Sequence, residues 1–223
     1  MLIAQKLKEQ NIAEWLLYMW QVEDLLRGVS LDVDKLEDSY LSRFQLEGEQ
    51  RAELRRWYED LAEMMRSEGV THSGHLQICK NVIIWLDDLH RRLLKSMKHP
   101  VYSSTYYHAL PFIVELRSRI RESIKDLKDK KDLNQSDHIK DCKDKGDGDK
   151  NPLKSFESLT ENDSLTEKSE IENCFDALYG LMLLRLQGKP VSEETKKAMD
   201  SISTFIGMLS DYYKKEKEEG LDL

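Results

Sequence analysis

Three polar residues interrupt apolar helical stripes in this sequence, and their side chains could act together. They are Glu23, His90 and Arg185, each flanked by apolar residues three or four positions away. If their inward faces converge, Arg185 would bind a carboxylate or phosphate, while Glu23 and His90 would transfer a proton. The first interpretation is therefore a ligand-binding or catalytic pocket.

The second interpretation, which we favour, is a polar network that fixes the register of the helices. Arg185 lies near the end of its predicted helix, where a guanidinium can bind free carbonyl groups. An unpaired charge inside an apolar stripe is costly, so Glu23 and Arg185 are predicted to form a buried ion pair. His90 or Glu115 could replace one member of that pair.

Motifs that specify a reaction are missing. The sequence holds no phosphate-binding loop, no zinc-protease motif and no nucleophile elbow. His72, His75 and His108 come from two segments, but no spacing among them enforces a metal site. The sequence therefore predicts no catalytic residue, no metal and no cofactor.

Hydrophobic periodicity predicts six main helices, and no convincing β alternation occurs. The predicted helices cover residues 2–27, 49–68, 74–97, 101–127, 169–188 and 192–217. The first carries an apolar stripe with a helical period, formed by Ile12, Trp15, Leu16, Met19, Val22 and Leu26.

Local signals set the predicted ends of these helices. Gly28 should stop the first, and Pro111 should kink or divide the fourth. Ser169, with Glu172 three residues later, forms a capping box, and Ser192 should open the last helix. Asp34 should begin a short extra helix before the second.

Residues 128–168 differ in composition from the rest. They contain nine lysines, eleven acidic residues and only seven apolar residues. Such a segment cannot bury enough apolar surface to offset its ordering entropy, so it is predicted to be a disordered charged insertion. Residues 1–127 and 169–223 would then supply helices one to four and helices five and six of a single domain.

The net charge indicates which classes of partner this protein is unsuited to bind, and the cysteines indicate its cellular compartment. The net charge of −8 argues against nucleic acids and against anionic membrane surfaces. No apolar run is long enough for a transmembrane helix, and no secretory signal is expected. The three cysteines form no paired framework, which favours a cytoplasmic protein with reduced thiols. A protein partner or a homodimer remains possible.

Five blocks of the sequence, in order, also resemble a known family. They are IAEWLLYMWQVEDLLR, EGVTHSGHLQICKNVIIWLDDLH, YYHALPFIVELR, ENCFDALYGLMLLRLQGK and ISTFIGMLSDYYKKEKE. Together they resemble an uncharacterised domain-of-unknown-function family of Bacteroidetes, number 4924. The resemblance implies a small cytoplasmic helical protein and supplies no activity, cofactor or site.

The sequence thus predicts an all-α protein, an irregular bundle of about six helices in one domain. Its function is unknown, and a non-enzymatic interaction or regulatory role is favoured. The alternative is a small-molecule-binding or hydrolytic bundle whose polar pocket contains Glu23, His90 and Arg185.

Overall fold

The computed structural model describes residues 2–44, 46–135 and 168–221. Within these residues the chain is helical and forms no strand, which confirms the all-α prediction. The elements are α1 (Leu2–Gln10), α2 (Ile12–Gly28), α3 (Val33–Ser39), a 3₁₀ turn (Leu41–Arg43), α4 (Gly48–Ser67), α5 (Gln77–Lys95), α6 (Pro100–Gln135), α7 (Glu170–Leu186) and α8 (Glu193–Glu218). None of the helices seen there combines the length and hydrophobicity needed to cross a membrane.

The first predicted helix is two helices, because Asn11 interrupts it. Asn11 has an extended backbone, and its side chain accepts hydrogen bonds from the backbone N–H groups of Ala13 and Glu14. The Ser210 hydroxyl donates to the same oxygen over 2.8 Å, which links this junction to α8. This break and the short α3 make the helices more numerous than the predicted six.

Most helix ends follow the predicted signals. Ser169 and Ser192 cap α7 and α8 by accepting from the N–H groups three residues later, and Gly69 and Gly188 adopt the left-handed conformation after α4 and α7. Two details differ. Beyond α2 the left-handed residues are Ser30 and Leu31 rather than Gly28, and Asp32 rather than Asp34 caps α3.

The longest helix, α6, is continuous through Pro111, which does not divide it. It ends at Gln135, beyond the predicted boundary at residue 127, so its last two turns lie in the predicted insertion. Residues 136–167 lie outside the described part of the chain. The disordered insertion and the division of the chain at 128 and 168 therefore remain predictions.

Two helices organise the core. α8 packs against α2, α5, α6 and α7, while α2 also packs against α1, α3, α4 and α5. The predicted apolar stripe of α2 is buried along its whole length. Trp20, Tyr102, Phe175 and Phe205 are the largest fully buried side chains, and they come from four different helices.

We expect the junction at Asn11 to contribute measurably to stability. Asn11→Ala removes the cap of α2 and the bond to Ser210, and it should lower the free energy of unfolding by about 1–2 kcal/mol. Urea unfolding followed by circular dichroism measures this loss. Gln10→Ala, at the exposed neighbouring position, is the matched control; equal effects of the two substitutions would contradict the assignment.

Candidate functional site

Glu23 lies in the middle of α2 with only 1% of its surface exposed, and its carboxylate faces the start of α5. Oε1 accepts a hydrogen bond from the Leu76 backbone N–H at 3.0 Å and contacts the Cys79 thiol at 3.5 Å. Oε2 lies 2.7 Å from Nδ1 of His75. The buried carboxylate therefore has three partners, all at the beginning of α5.

These contacts compensate for the missing local cap of α5. Leu76 occupies the N-cap position and offers no side-chain oxygen. Glu23 binds its N–H from α2, and Oε2 of Glu68 accepts from the Gln77 N–H at 2.6 Å. Two carboxylates thus face the positive end of the α5 dipole, which favours negative charge.

Arg27, one turn after Glu23, binds the loop that leads into α5. Its guanidinium donates to the carbonyl oxygens of Val70 and Gly74 and lies 3.9 Å from Oε2 of Glu23. It also donates to Asp24 at 2.8 Å. The guanidinium beside the buried carboxylate therefore comes from the same helix.

The imidazole of His75 makes two contacts, one through its ring face and one through Nδ1. Its ring stacks on the fully buried indole of Trp20, with 4.1 Å between centroids and an interplanar angle of 12°. Its Nδ1 faces Glu23, and 12% of its side chain is exposed. Among the described residues, Nε2 of His75 and Nε1 of Trp20 are buried and have no hydrogen-bond partner.

A carboxylate and an imidazole in contact resemble a general-base pair, but the surroundings here restrict that chemistry. The imidazole face is covered by Trp20. Burial, and then the nearby Glu23 charge, raises the pKa of the Cys79 thiol far above its usual range. Cys79 therefore stays protonated and acts as a hydrogen-bond donor rather than as a nucleophile. We interpret the cluster as a polar network that joins α2 to α5.

His90 belongs to a different cluster, between α5, α6 and α8. It is 5% exposed, and its Nδ1 lies 2.6 Å from the Tyr102 hydroxyl oxygen. The rings of Tyr106 and Phe205 pack against the imidazole at centroid distances of 4.8 and 5.4 Å. Burial lowers the pKa of His90, so its imidazole is neutral near pH 7.

Arg185 belongs to neither cluster. It is exposed in the last turn of α7, and it forms no ion pair with Glu23. The structure thus does not bring Glu23, His90 and Arg185 together. The expected Glu23–Arg185 pair does not form because the helix end leaves the guanidinium in solvent, while α5 and Arg27 surround the carboxylate. Glu115, the other suggested partner, is exposed and bonded to Arg119.

Sequence reasoning anticipated the burial of Glu23 and missed its partners. Arg27 lies four residues after Glu23, a spacing that places two side chains on one helix face. In the sequence, His75 is only one of three histidines without metal-site spacing, although it lies just before the start of α5. Its pairing with a residue 52 positions earlier leaves no local signal.

A double-mutant cycle tests the pairing of Glu23. Glu23→Leu leaves His75, the Leu76 N–H and Cys79 without their acceptor, and it should lower the free energy of unfolding by about 3 kcal/mol. His75→Phe keeps a ring on Trp20. Because the two residues share one interaction, their substitutions should be non-additive by about 1 kcal/mol or more in urea unfolding.

The same cycle with Arg185→Ala is the control. Arg185 is exposed, so this substitution should change stability by less than about 0.5 kcal/mol and add independently to Glu23→Leu. Coupling of Glu23 to Arg185 rather than to His75 would contradict the observed arrangement.

The buried state of His90 predicts a pH dependence of stability. Burial lowers its pKa from the usual 6.5 in the folded chain, so the unfolded chain takes up the proton first as the pH falls. The contribution of His90 is therefore complete above about pH 6.5 and is lost below it. His90→Gln should flatten the fall in melting temperature between about pH 8 and about pH 5.5.

His72→Gln, which removes an exposed histidine, is the matched control and should leave the pH profile unchanged. Equal flattening by both substitutions would show that the buried imidazole is not the responsible group. Calorimetry in buffers of constant ionic strength gives the profiles.

Comparison with known protein families gives a match over most of the chain. A family model described as Domain of unknown function (DUF4924) matches residues 1–131 and 151–220. The unmatched residues 132–150 lie within the predicted insertion. No curated protein and no solved structure matches the chain. The two matched segments cover most of the sequence and confirm the resemblance found in the five blocks, so the chain belongs to the domain-of-unknown-function family DUF4924.

Proposed function

We propose that this protein is a non-enzymatic protein-interaction domain and that its docking surface is the outward face of α6. The observation that carries the proposal is an absence of charge. Residues 99–114 contain no Asp, Glu, Lys or Arg, in a chain of which 34% of residues are charged. It is the longest such run in the sequence.

Burial explains only part of that run. Tyr102, Tyr106, Ala109 and Ile113 form the inward face of α6 and pack in the core. The opposite face is in solvent: Tyr107 is 62% exposed and Val114 is 55% exposed. A helix face that only meets water ordinarily carries charged residues, so the composition of this face needs another explanation.

Helix α4 shows what an outward face of this protein ordinarily contains. Its exposed positions include Glu49, Arg51, Glu53, Arg56, Glu59, Asp60, Glu63 and Arg66. The outward face of α6 instead presents tyrosine, proline, valine and serine. Depletion of charged residues and enrichment of aromatic residues are the compositional signs of the core of a protein interface.

The polar residues Glu23, His90 and Arg185 support an enzymatic function less well than the surface of α6 supports an interaction domain. A pocket built from Glu23, His90 and Arg185 requires their side chains to converge, and each has different surroundings. The carboxylate is used at the start of α5, and the imidazole is used among the aromatic rings. The proposal of an interaction domain therefore rests on the surface, and the buried polar groups serve the fold.

Photo-crosslinking tests the docking surface. Benzoylphenylalanine placed at Tyr107 should form a covalent adduct with another protein chain in cells that produce the protein. Val114→Glu, about two turns away on the same face, should abolish that adduct and leave the melting temperature unchanged because Val114 is exposed.

Two controls define the result. The same photo-reactive residue at Trp85, which is half exposed on α5, should give no adduct that depends on Val114. Ile84→Glu, a matched substitution of an exposed apolar residue outside α6, should leave the Tyr107 adduct intact. If Tyr107 yields no adduct, or one that Val114→Glu does not affect, the docking surface is rejected.

A further inference from the structure

We infer that the occupant of the outward face of α6 is a second copy of this chain, packed through an antiparallel pair of α6 helices. The inference rests on the proposed docking function of this face and names its partner. Three observations support it: the spacing of the exposed residues, the charge of the whole chain and the charges at the edge of the face.

The spacing is that of a helix-pairing seam. The exposed residues at the centre of the face recur at alternating intervals of three and four: Ser104, Tyr107, Pro111, Val114 and Ser118. That alternation keeps one stripe of a helix facing another helix over several turns. The seam covers about 21 Å of α6 at 1.5 Å per residue.

Small and apolar residues occupy the whole seam. Serines at its ends permit close approach, while Tyr107 and Val114 supply apolar surface. Pro111 lies at its centre, although a proline inside a helix removes one backbone hydrogen bond. In a helix whose outer face meets only water, this proline adds no stabilising contact. In a helix packed against another helix, its ring adds apolar surface to the interface.

The net charge of the chain favours a second copy at this uncharged face. A chain of charge −8 repels its own copies, so two copies associate most easily where neither presents a carboxylate. The seam is such a surface. A basic partner, in contrast, would be attracted most strongly to an acidic face, such as the exposed carboxylates of α4.

The edge of the seam selects the antiparallel orientation. His108 and Glu115 are exposed seven residues apart, so they lie along the same edge. In an antiparallel pair, this edge faces the same edge of the other helix. With Pro111 packed against Val114 of the second copy, each His108 lies opposite Glu115 of the second copy, and the contact forms twice.

One helix pair buries a small interface, so the dimer is weak. Specific interfaces of this size lie at the low end of the observed range, and we expect a dissociation constant on the order of 10 μM. Analytical ultracentrifugation across that concentration range should show a monomer–dimer equilibrium. Val114→Glu should raise the dissociation constant at least about tenfold, while Ile84→Glu, outside the seam, should leave it unchanged.

Disulfide crosslinking tests the orientation. In this register Tyr107 lies against Ser118 of the second copy, whereas the two copies of either position are about 16 Å apart along the helix axis. In a Cys142→Ser background, Tyr107→Cys and Ser118→Cys should each remain uncrosslinked alone under mild oxidation. An equimolar mixture should form a disulfide-linked dimer.

The outcomes separate this inference from the docking function itself. A disulfide formed by Tyr107→Cys alone would overturn the antiparallel arrangement, because a parallel pair brings like positions together. A monomer at all concentrations, with no disulfide in the mixture, would overturn the second copy as occupant. In that case a Val114-dependent adduct between Tyr107 and a different protein would preserve the docking surface, and the absence of any adduct would reject both.

Discussion

The buried carboxylate of Glu23 is the contact on which the arrangement of this bundle depends. It lies on α2, which packs against five of the seven other helices described, and it accepts hydrogen bonds from the start of α5. A carboxylate removed from water is costly unless it is hydrogen-bonded, and the observed placement of α5 supplies the partners of this one. Apolar packing alone would tolerate a sliding of α5 along α2. Glu23 instead fixes both the starting residue of α5 and its position against α2.

The surrounding polar groups extend this constraint to the loop before α5 and to α7. Arg27 binds two carbonyl oxygens of the loop, and Asp24 receives the hydroxyl of Tyr179 on α7 at 2.6 Å. Trp20 covers His75 and meets the rings of two α7 residues edge to face. One segment of α2 therefore uses its carboxylates and its indole to orient two other helices, while its apolar stripe supplies the burial.

The features that depend only on residues close together in the sequence could be predicted from it. The stripe of α2 and the caps at Ser169 and Ser192 follow from spacing and from short-range hydrogen bonds, and all are present. The break at Asn11 was missed because a single capping side chain decides there between one continuous helix and two. The partners of Glu23 were missed for another reason: sequence spacing shows that a charge is buried, but tertiary packing decides which residue meets it. Arg185 has the right charge for the pair and lies on a helix end that the core does not cover.

The two faces of α6 show how one uncharged segment can serve two purposes. Its inward tyrosines meet the imidazole of His90 and the ring of Phe205, so the absence of charge there follows from burial among aromatic groups. Within the described part of the chain the outward face has no such cause, because its residues are exposed and the neighbouring helices do not cover them. Exposure in the structure separates the two faces, and the docking of another chain that we propose would account for the uncharged outward face.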